Sequence, residues 1–222
     1  EGLSTSRLIE RVVSSLAMEE AIGEPVEAMD GRAVLSQLLD GANVMRQTAY
    51  LFSETVGEVA QRVAAALPEN KVLLCGNGGS AADAQHIAAE LVGRLRSERT
   101  PLPALSLATD TSVLTAVAND FGYHQVFARQ IAALGRAGDV LFALSTSGQS
   151  ENVVRAVEAA RRRGLFVVAF TGAQSSCLSE QADVCFQIPS QDSLLVQQAH
   201  MAILHVLCDR IEQFLADGGG NE

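Results

Sequence analysis

The sequence predicts an α/β fold with a five-stranded parallel sheet flanked by helices, and a helical extension before it. Two observations support this prediction. From Lys71 onward, short apolar runs of strand length alternate with helical stretches, which requires right-handed crossovers between parallel strands. Before Pro68, apolar residues recur instead at the spacing of an amphipathic helix.

The amino-terminal region is predicted to be helical throughout. Ser4–Ala21 has apolar residues at helical spacing, and a break is expected around Asp30–Gly31. The pattern of Val34–Leu67 predicts one long helix or two. We therefore divide the chain into an N-terminal helical extension, residues 1–33, and a main domain, residues 34–222.

The remaining elements follow in order along the chain. Strands are predicted at Val72–Cys75, Ala104–Ala108, Val140–Ser145, Phe166–Thr171 and Val184–Ile188. Helices are predicted at Ser80–Leu95, Ser112–Ala118, Gln125–Leu134, Ser150–Arg163, Ser176–Gln181 and Leu194–Leu215. Ligands of such sheets bind at the carboxyl ends of the strands, so the loops there are the first places to search for a site.

The composition indicates a globular, cytoplasmic protein. The net charge of −10 disfavours a nucleic-acid groove, although a helix N-terminus can still bind a small phosphorylated ligand. We expect no membrane span, since no apolar run approaches the ~20 residues that cross a bilayer. We expect no signal peptide, since the first thirty residues have glutamates such as Glu19 and Glu20 rather than a basic start and an apolar stretch. The four cysteines lack metal-ligand spacing, as in reduced intracellular proteins.

Two strand–turn–helix loops are candidate phosphate sites. The first loop reads Cys75-Gly76-Asn77-Gly78-Gly79-Ser80 and the second reads Ser145-Thr146-Ser147-Gly148-Gln149-Ser150. Glycines let the backbone approach a ligand, N–H groups at the helix start face an anion, and the hydroxyls of the second loop add donors. Neither loop has the dinucleotide or Walker spacing. The alternative is that Ser80 and Ser150 only cap helices, but two such loops in one sheet favour phosphate.

Four further side chains are candidate metal ligands or proton-transfer groups. His86 and Glu90 project from one helix face about 40° apart, and Gln197 and His205 are about 80° apart on the last helix. His200, about 140° from His205, is expected to face elsewhere. Oxygen and imidazole donors suit Zn²⁺ or a similar metal, and the same groups could move protons in an isomerisation. A surface Glu–His pair is the alternative.

Together these segments resemble the phosphoheptose isomerase (sedoheptulose 7-phosphate isomerase) family. Both loops, the His86–Glu90 and Gln197–His205 pairs, and Asn119-Asp120-Phe121-Gly122 follow one another as they do in that family. The resemblance implies a three-layer SIS (sugar-isomerase) fold and a homotetramer. It also implies conversion of sedoheptulose 7-phosphate to D-glycero-D-manno-heptose 7-phosphate through an enediol, for bacterial heptose synthesis.

The resemblance also implies roles for individual residues. Glu90 is the catalytic base and His205 its acid partner. One zinc ion per subunit is bound by His86, Glu90, Gln197 and His205. The sugar phosphate, which is the expected small-molecule partner, is bound by Asn77, Gly78, Gly79, Ser80, Asp110, Ser145, Thr146, Ser147, Ser150, Asp192 and Gln197. Within this set, the serines of the second loop with Thr146 hold the phosphate.

One departure and two alternatives accompany the resemblance. Leu195-Val196-Gln197-Gln198 stands where the family usually has Arg-Ile-Gln-Glu, which removes a salt bridge of the pocket or interface. A non-catalytic relative binds the bacterial replication initiator, and other SIS proteins are arabinose 5-phosphate-type isomerases or sugar-phosphate sensors. The presence of Glu90 and His205 favours the enzyme over the first alternative. The first loop has no lysine, which disfavours the second.

The helices at the two ends of the chain also predict an oligomer. Val34–Leu67 and Leu194–Leu215 carry more apolar positions than one face of a five-stranded sheet can cover. A symmetric helical bundle between subunits would bury the rest, in agreement with the homotetramer that the resemblance implies. The extension, residues 1–33, is either a solvated helix or an addition to that contact.

Overall fold

The computed structural model describes residues 29–67 and 69–218, so the predicted helix Ser4–Ala21 lies outside the described residues. Helix α1, Met29–Ala66, is one helix of 38 residues. Asp30 and Gly31 lie in the first turn of this helix, so the break expected around them falls next to its described start at Met29. The chain divides into two compact units, residues 1–39 and 40–222. A functional boundary after residue 33 stays a prediction.

The sheet has five parallel strands, as predicted. In the described part of the chain these are β1 (Val72–Cys75), β2 (Ala104–Ser106), β3 (Val140–Leu144), β4 (Phe166–Thr171) and β5 (Val184–Gln187), in the spatial order β2-β1-β3-β4-β5. The helices after α1 are α2 (Gly79–Val92), α3 (Thr111–Phe121), α4 (Val126–Leu134), α5 (Glu151–Arg163), α6 (Cys177–Gln181) and α7 (Ser193–Gly218). A 3₁₀ turn, Tyr123–Gln125, connects α3 to α4.

Alternating strand residues divide the interior into two apolar layers. Phe142 and Phe170 pack with α1, α2 and α7 on one face of the sheet, while Leu141 and Val167 pack with helices α4, α5 and α6 on the other. The strands β1, β3 and β4 are buried along their whole length, as parallel strands covered on both faces must be. The fold is therefore the expected three-layer α/β arrangement.

The strand order places both candidate loops at the point where the sheet reverses its winding. In the order β2-β1-β3-β4-β5 this switch point lies between β1 and β3, and ligands of open parallel sheets bind there. The first loop follows β1 and the second follows β3. Among the described residues, no helix is long and apolar enough to span a bilayer.

Candidate active site

Helices α2 and α7 bring three of the predicted residues together. The Nε2 atom of His86 lies 3.0 Å from Glu90 Oε1, and Nε2 of His205 lies 3.5 Å from the same oxygen. The two imidazole rings are 5.1 Å apart in an edge-to-face arrangement. The pair on α2 is thus in contact with a residue from a second helix, which an isolated surface pair would not be.

The cluster fits a metal ion. One ligand atom from each of His86, Glu90 and His205 lies within 4.8 Å of the other two. Oxygen Oε2 of Glu90 is buried and has no hydrogen-bond partner among the described residues, which is unfavourable for an ionised carboxylate unless a cation satisfies it. Two imidazole nitrogens and a carboxylate oxygen form a donor set that Zn²⁺ accepts.

Gln197 approaches the cluster through Asp83, a residue that the sequence reasoning missed. Gln197 donates from Nε2 to Asp83 Oδ2 at 3.2 Å. Burial raises the pKa of Asp83, although the Gln197 hydrogen bond and the nearby charges of His86 and His205 oppose this rise. Asp83 stands three residues before His86, a spacing that places both on one face of α2 and could have indicated its role.

The first loop is packed closely beneath Gln197. A Cβ atom at Gly79 would lie 1.9 Å from Gln197 Nε2, so any larger residue there requires the Gln197 side chain to move. Gly78 adopts φ = +55°, a conformation that favours glycine. Ser80 is buried in the first turn of α2, and the N-cap of that helix is Gly78, so Ser80 is not the helix cap.

The Asn77 side chain is held by two residues from other parts of the chain. Asn77 and Asn152 exchange a reciprocal pair of amide hydrogen bonds, at 2.9 and 2.8 Å, and the Tyr123 hydroxyl donates to Asn77 Oδ1 at 3.1 Å. Asn152 is buried at the start of α5, immediately after the second loop. The Asn77–Asn152 pair therefore joins the two candidate loops to each other.

The second loop presents a group of hydroxyls at the start of α5. Ser145 Oγ lies 3.0 Å from Ser150 Oγ and 3.4 Å from Ser147 Oγ. Ser150 occupies the N-cap position of α5, but its side chain makes no capping hydrogen bond. Ser150 is thus the N-cap residue, but its hydroxyl bonds Ser145 and is not used as a cap. Hydroxyls and free N–H groups at the start of a 13-residue helix form a suitable site for an anion.

The other predicted pocket residues, Thr146 of the second loop, Asp110 after β2 and Asp192 after β5, lie on the same edge of the sheet. Thr146 donates from Oγ1 to Ser193 Oγ at 3.4 Å, and its carbonyl accepts from Gly172 N–H. Asp110 accepts from Val113 N–H and caps α3, whereas Asp192 accepts from Leu194 N–H at the start of α7. Each of these bonds uses one oxygen of the carboxylate.

His200 faces away from the cluster, as its angular position predicts. It is fully buried, and its Nε2 donates to the Thr171 carbonyl at 3.2 Å, at the end of β4. Burial lowers the pKa of His200 to about 4, although the bond to Thr171 opposes this shift. His200 is therefore neutral at physiological pH and supports the core rather than the site.

The departure near Gln197 has a simple structural form. Leu195, in place of the family's arginine, packs against the apolar core. Gln198, in place of the glutamate, is exposed on α7 close to Gly41 of α1. Apolar packing and a neutral amide thus stand where the family has charged residues.

Comparisons with known proteins identify relatives of this chain. Residues 40–172 match the sequence profile of the SIS domain. The phosphoheptose isomerase of Roseiflexus sp. (strain RS-1) is 46% identical over 185 residues, which cover 83% of this chain and 94% of the relative. That of Rhodospirillum rubrum is 52% identical over 161 residues, 72% of this chain and 86% of the relative.

Solved structures show the same likeness. The phosphoheptose isomerase of Neisseria gonorrhoeae has a TM-score of 0.78 at 38% identity, covering 82% of this chain and 98% of that one. The enzyme of Francisella tularensis has a TM-score of 0.80 at 35% identity, covering 84% of this chain and all of that one. Both the sequence and the fold therefore agree: the chain belongs to the phosphoheptose isomerase family of SIS-domain proteins.

Proposed function

We propose that this protein is a cytoplasmic isomerase that converts sedoheptulose 7-phosphate to D-glycero-D-manno-heptose 7-phosphate, in the synthesis of bacterial heptose. The observation that carries the proposal is the contact of the Glu90 carboxylate with the imidazoles of His86 and His205. The hydroxyls of the second loop lie on the same sheet, at the end of β3. The names of the relatives support the substrate. All four cysteines are free thiols, which is consistent with a reducing compartment.

The second loop would bind the phosphate of the substrate. Its serine hydroxyls and the N–H groups at the start of α5 supply hydrogen bonds to the phosphate oxygens, and the helix dipole adds a favourable field. Asn77, Gly78, Gly79 and Ser80 of the first loop, together with Asp110, Asp192 and Gln197, would contact the sugar chain. Anchoring the far end of the sugar fixes its reactive carbons relative to Glu90.

Proton transfer would be performed by Glu90 and His205. Glu90 removes a proton from C1 of the open-chain ketose, and the electron pair of that bond forms the C1–C2 double bond while the C2 carbonyl oxygen takes up a proton. The resulting enediol receives a proton at C2, with His205 as the acid partner, and loses the proton of the C1 hydroxyl. The product is an aldehyde at C1, so atoms and electrons balance.

One zinc ion per subunit would be held by His86, Glu90, Gln197 and His205. Two observations support this set: the partnerless Oε2 of Glu90, and the Gln197 amide, which bonds Asp83 through nitrogen and so leaves its oxygen for a metal. A bound zinc ion supplies electrostatic stabilisation of negative charge on the substrate oxygens. The residues themselves orient the sugar and carry the protons.

We further propose that the protein is a homotetramer whose sites include residues of neighbouring subunits. Apolar side chains of α1 are exposed, among them Leu38, which is 68% exposed, and Leu51, which is 59% exposed. Between α1 and α7 there is an apolar cavity of about 370 Å³, lined by Phe52, Val56 and Ile203 among others. A symmetric partner would cover such surfaces, and light scattering should report four subunits rather than one.

The proposed activity is tested by incubating the full chain with sedoheptulose 7-phosphate, with and without a chelator, and following the aldose product by NMR. We expect turnover in the wild type and a loss of about 100-fold or more in Glu90→Gln or His205→Ala. The exposed Glu69→Gln is the matched control. Near-normal turnover in either site variant would contradict the assigned roles. Substrate binding without any turnover would instead indicate the sugar-phosphate sensor.

A further inference from the structure

A buried ion pair links α7 to the loop after α2, and these are the two helices that carry the His–Glu cluster. Glu212, on α7, is only 5% exposed, and its carboxylate accepts from the N–H groups of Leu95, Arg96 and Ser97 at 2.8, 3.1 and 3.2 Å. Arg99 Nε donates to the same carboxylate at 3.0 Å. Burial alone would raise the pKa of Glu212, but these four donors outweigh it and lower the pKa. Glu212 is therefore a charged group that binds the loop after α2.

The guanidinium of Arg99 extends this contact to α2 itself. Its Nη2 donates to the carbonyl of Glu90 at 2.9 Å, and its Nη1 donates to the carbonyl of Leu91 at 2.9 Å. These carbonyls belong to the last turn of α2, where acceptors lack partners within the helix and a positive charge is favourable. One planar, 13% exposed side chain thus joins the main chain of Glu90 to α7.

We infer that Arg99 and Glu212 are positioning residues that set how closely Glu90 on α2 approaches His205 on α7. Glu212 stands two helical turns after His205, and Arg99 fixes the backbone of Glu90 itself. The side chains of Glu90 and His205 approach to 3.5 Å. A metal site must keep the distance between its ligand atoms within a few tenths of an ångström. The inference rests on the proposed metal site and predicts that the pair controls its affinity.

A second ion pair separates this role from simple tethering of the loop. Arg96 and Asp209 also join the loop after α2 to α7, at 2.9 Å, but the Arg96 side chain is 75% exposed and neither residue bonds the main chain of α2. If holding the loop were sufficient, both pairs would matter. If contact with the Glu90 backbone is what counts, only the buried pair will.

The test compares Arg99→Lys and Glu212→Gln with the matched control Asp209→Asn, all in the full-length chain. Lysine keeps the charge of Arg99 but lacks the fork that reaches Glu212 and the two carbonyls together. The zinc affinity of the metal-stripped proteins is measured by competition with a chromophoric chelator, and kcat and KM with sedoheptulose 7-phosphate. We expect each buried-pair variant to bind zinc about 10-fold more weakly and to lose about 10-fold in kcat with little change in KM. The control should stay within about twofold of the wild type.

The outcomes distinguish this inference from the proposed function. A wild type that neither binds zinc nor isomerises the substrate contradicts the proposed function. A normal wild type with folded Arg99→Lys and Glu212→Gln variants of unchanged zinc affinity overturns the positioning role alone. If Arg99→Lys does not fold, Glu212→Gln carries the same test with the guanidinium in place. Failure of both to fold would show a purely structural pair and overturn the inference.

Discussion

The loops after β1 and β3 occupy equivalent positions at the switch point of the sheet, yet their polar groups are used differently. In the first loop the Asn77 amide is bonded to Asn152 and Tyr123, and Gly79 lies directly beneath Gln197. In the second loop the hydroxyls of Ser145 and Ser150 bond each other, with no capping bond from Ser150. The Asn77 side chain of the first loop is therefore bonded to distant parts of the chain, whereas the second loop has a group of hydroxyls that bond one another and can turn toward a ligand.

This difference shows that position on the fold does not by itself assign a role. Both loops place a helix N-terminus at the carboxyl edge of the sheet, and either could bind an anion on that ground alone. What distinguishes them is where their side chains bond: Asn77 bonds residues outside the first loop, whereas Ser145, Ser147 and Ser150 bond one another within the second. The expected effects of changing these contacts one at a time are given next: first the packing of Gly79 against Gln197, then the hydroxyls of the second loop, and then the links between the loops.

The largest effect is expected from Gly79→Ala, which disrupts the packing of the first loop against Gln197. Its Cβ would lie 1.9 Å from Gln197 Nε2 and 2.7 Å from Cδ, so Gln197 must move and lose its bond to Asp83. We expect kcat/KM to fall about 100-fold, as for other displaced metal-site residues, measured by steady-state kinetics. Gly57→Ala is the control, because the described structure leaves its Cβ free of contacts within 4 Å. Equal activity of the two variants would contradict this account of Gly79.

The second prediction concerns the donors. Ser150→Ala removes the hydroxyl that bonds Ser145 and leaves the helix start intact. Because the phosphate is remote from the reacting carbons, we expect KM for sedoheptulose 7-phosphate to rise about 10-fold, with a smaller change in kcat. Exposed Ser112→Ala on α3 provides the control. A drop in kcat at unchanged KM would place Ser150 with the proton-transfer groups instead.

Much of the fold could be predicted because the apolar period changes from helical to strand spacing at Lys71. β2 is two residues shorter than expected, since this edge strand has only β1 as a partner and pairs with it over three residues. The long helix α1 begins at Met29, five residues before the expected start of the helical pattern at Val34 and next to the break expected around Asp30–Gly31.

The candidate site could be predicted only in part. Spacing places His86 and Glu90 on one helix face, but it does not give the solvent exposure of each side chain. The buried Asp83 on that face was therefore not found. The Asn77–Asn152 pair joins residues 75 positions apart, and no local pattern indicates such a partner. The bond from Arg99 to the Glu90 carbonyl likewise depends on how the loop after α2 folds back.

The third prediction concerns the link between the two loops. Asn152→Ala removes both amide hydrogen bonds to Asn77 from a buried position. We expect the free energy of unfolding to fall by ~1–2 kcal/mol and kcat/KM by a few-fold, because the loops lose their mutual register. Tyr123→Phe, which removes one exposed donor to Asn77, should change both quantities less. A Tyr123→Phe variant more damaged than Asn152→Ala would show that the hydroxyl, not the amide pair, holds the first loop.

The last prediction concerns His200, which contacts the end of β4 next to the second loop. At neutral pH its substitution has the smallest expected effect. His200 holds the end of β4 through the Thr171 carbonyl, and the next residue, Gly172, donates to the carbonyl of Thr146 in the second loop. The pKa of His200 falls from 6.5 to about 4 on folding, so between these values the unfolded chain binds more protons than the folded one. Stability contributed by the neutral ring is therefore complete above pH 6.5 and decreases as the pH falls. At about 1.4 kcal/mol per pH unit, the titration of His200 alone should remove ~3 kcal/mol of stability across this window.

His200→Gln tests this expectation, because glutamine can donate an N–H to Thr171 but does not titrate. Urea unfolding at pH 7.5 should give nearly equal free energies for the two proteins, with similar kcat and KM. Between pH 6.5 and 4 the variant should lose less stability than the wild type, and the difference isolates His200 because the carboxylates are common to both proteins. Parallel loss of stability in the two proteins would contradict the lowered pKa. His200 would then support the second loop only through its hydrogen bond to Thr171. The two loops would differ only in the hydrogen-bond partners of their own side chains.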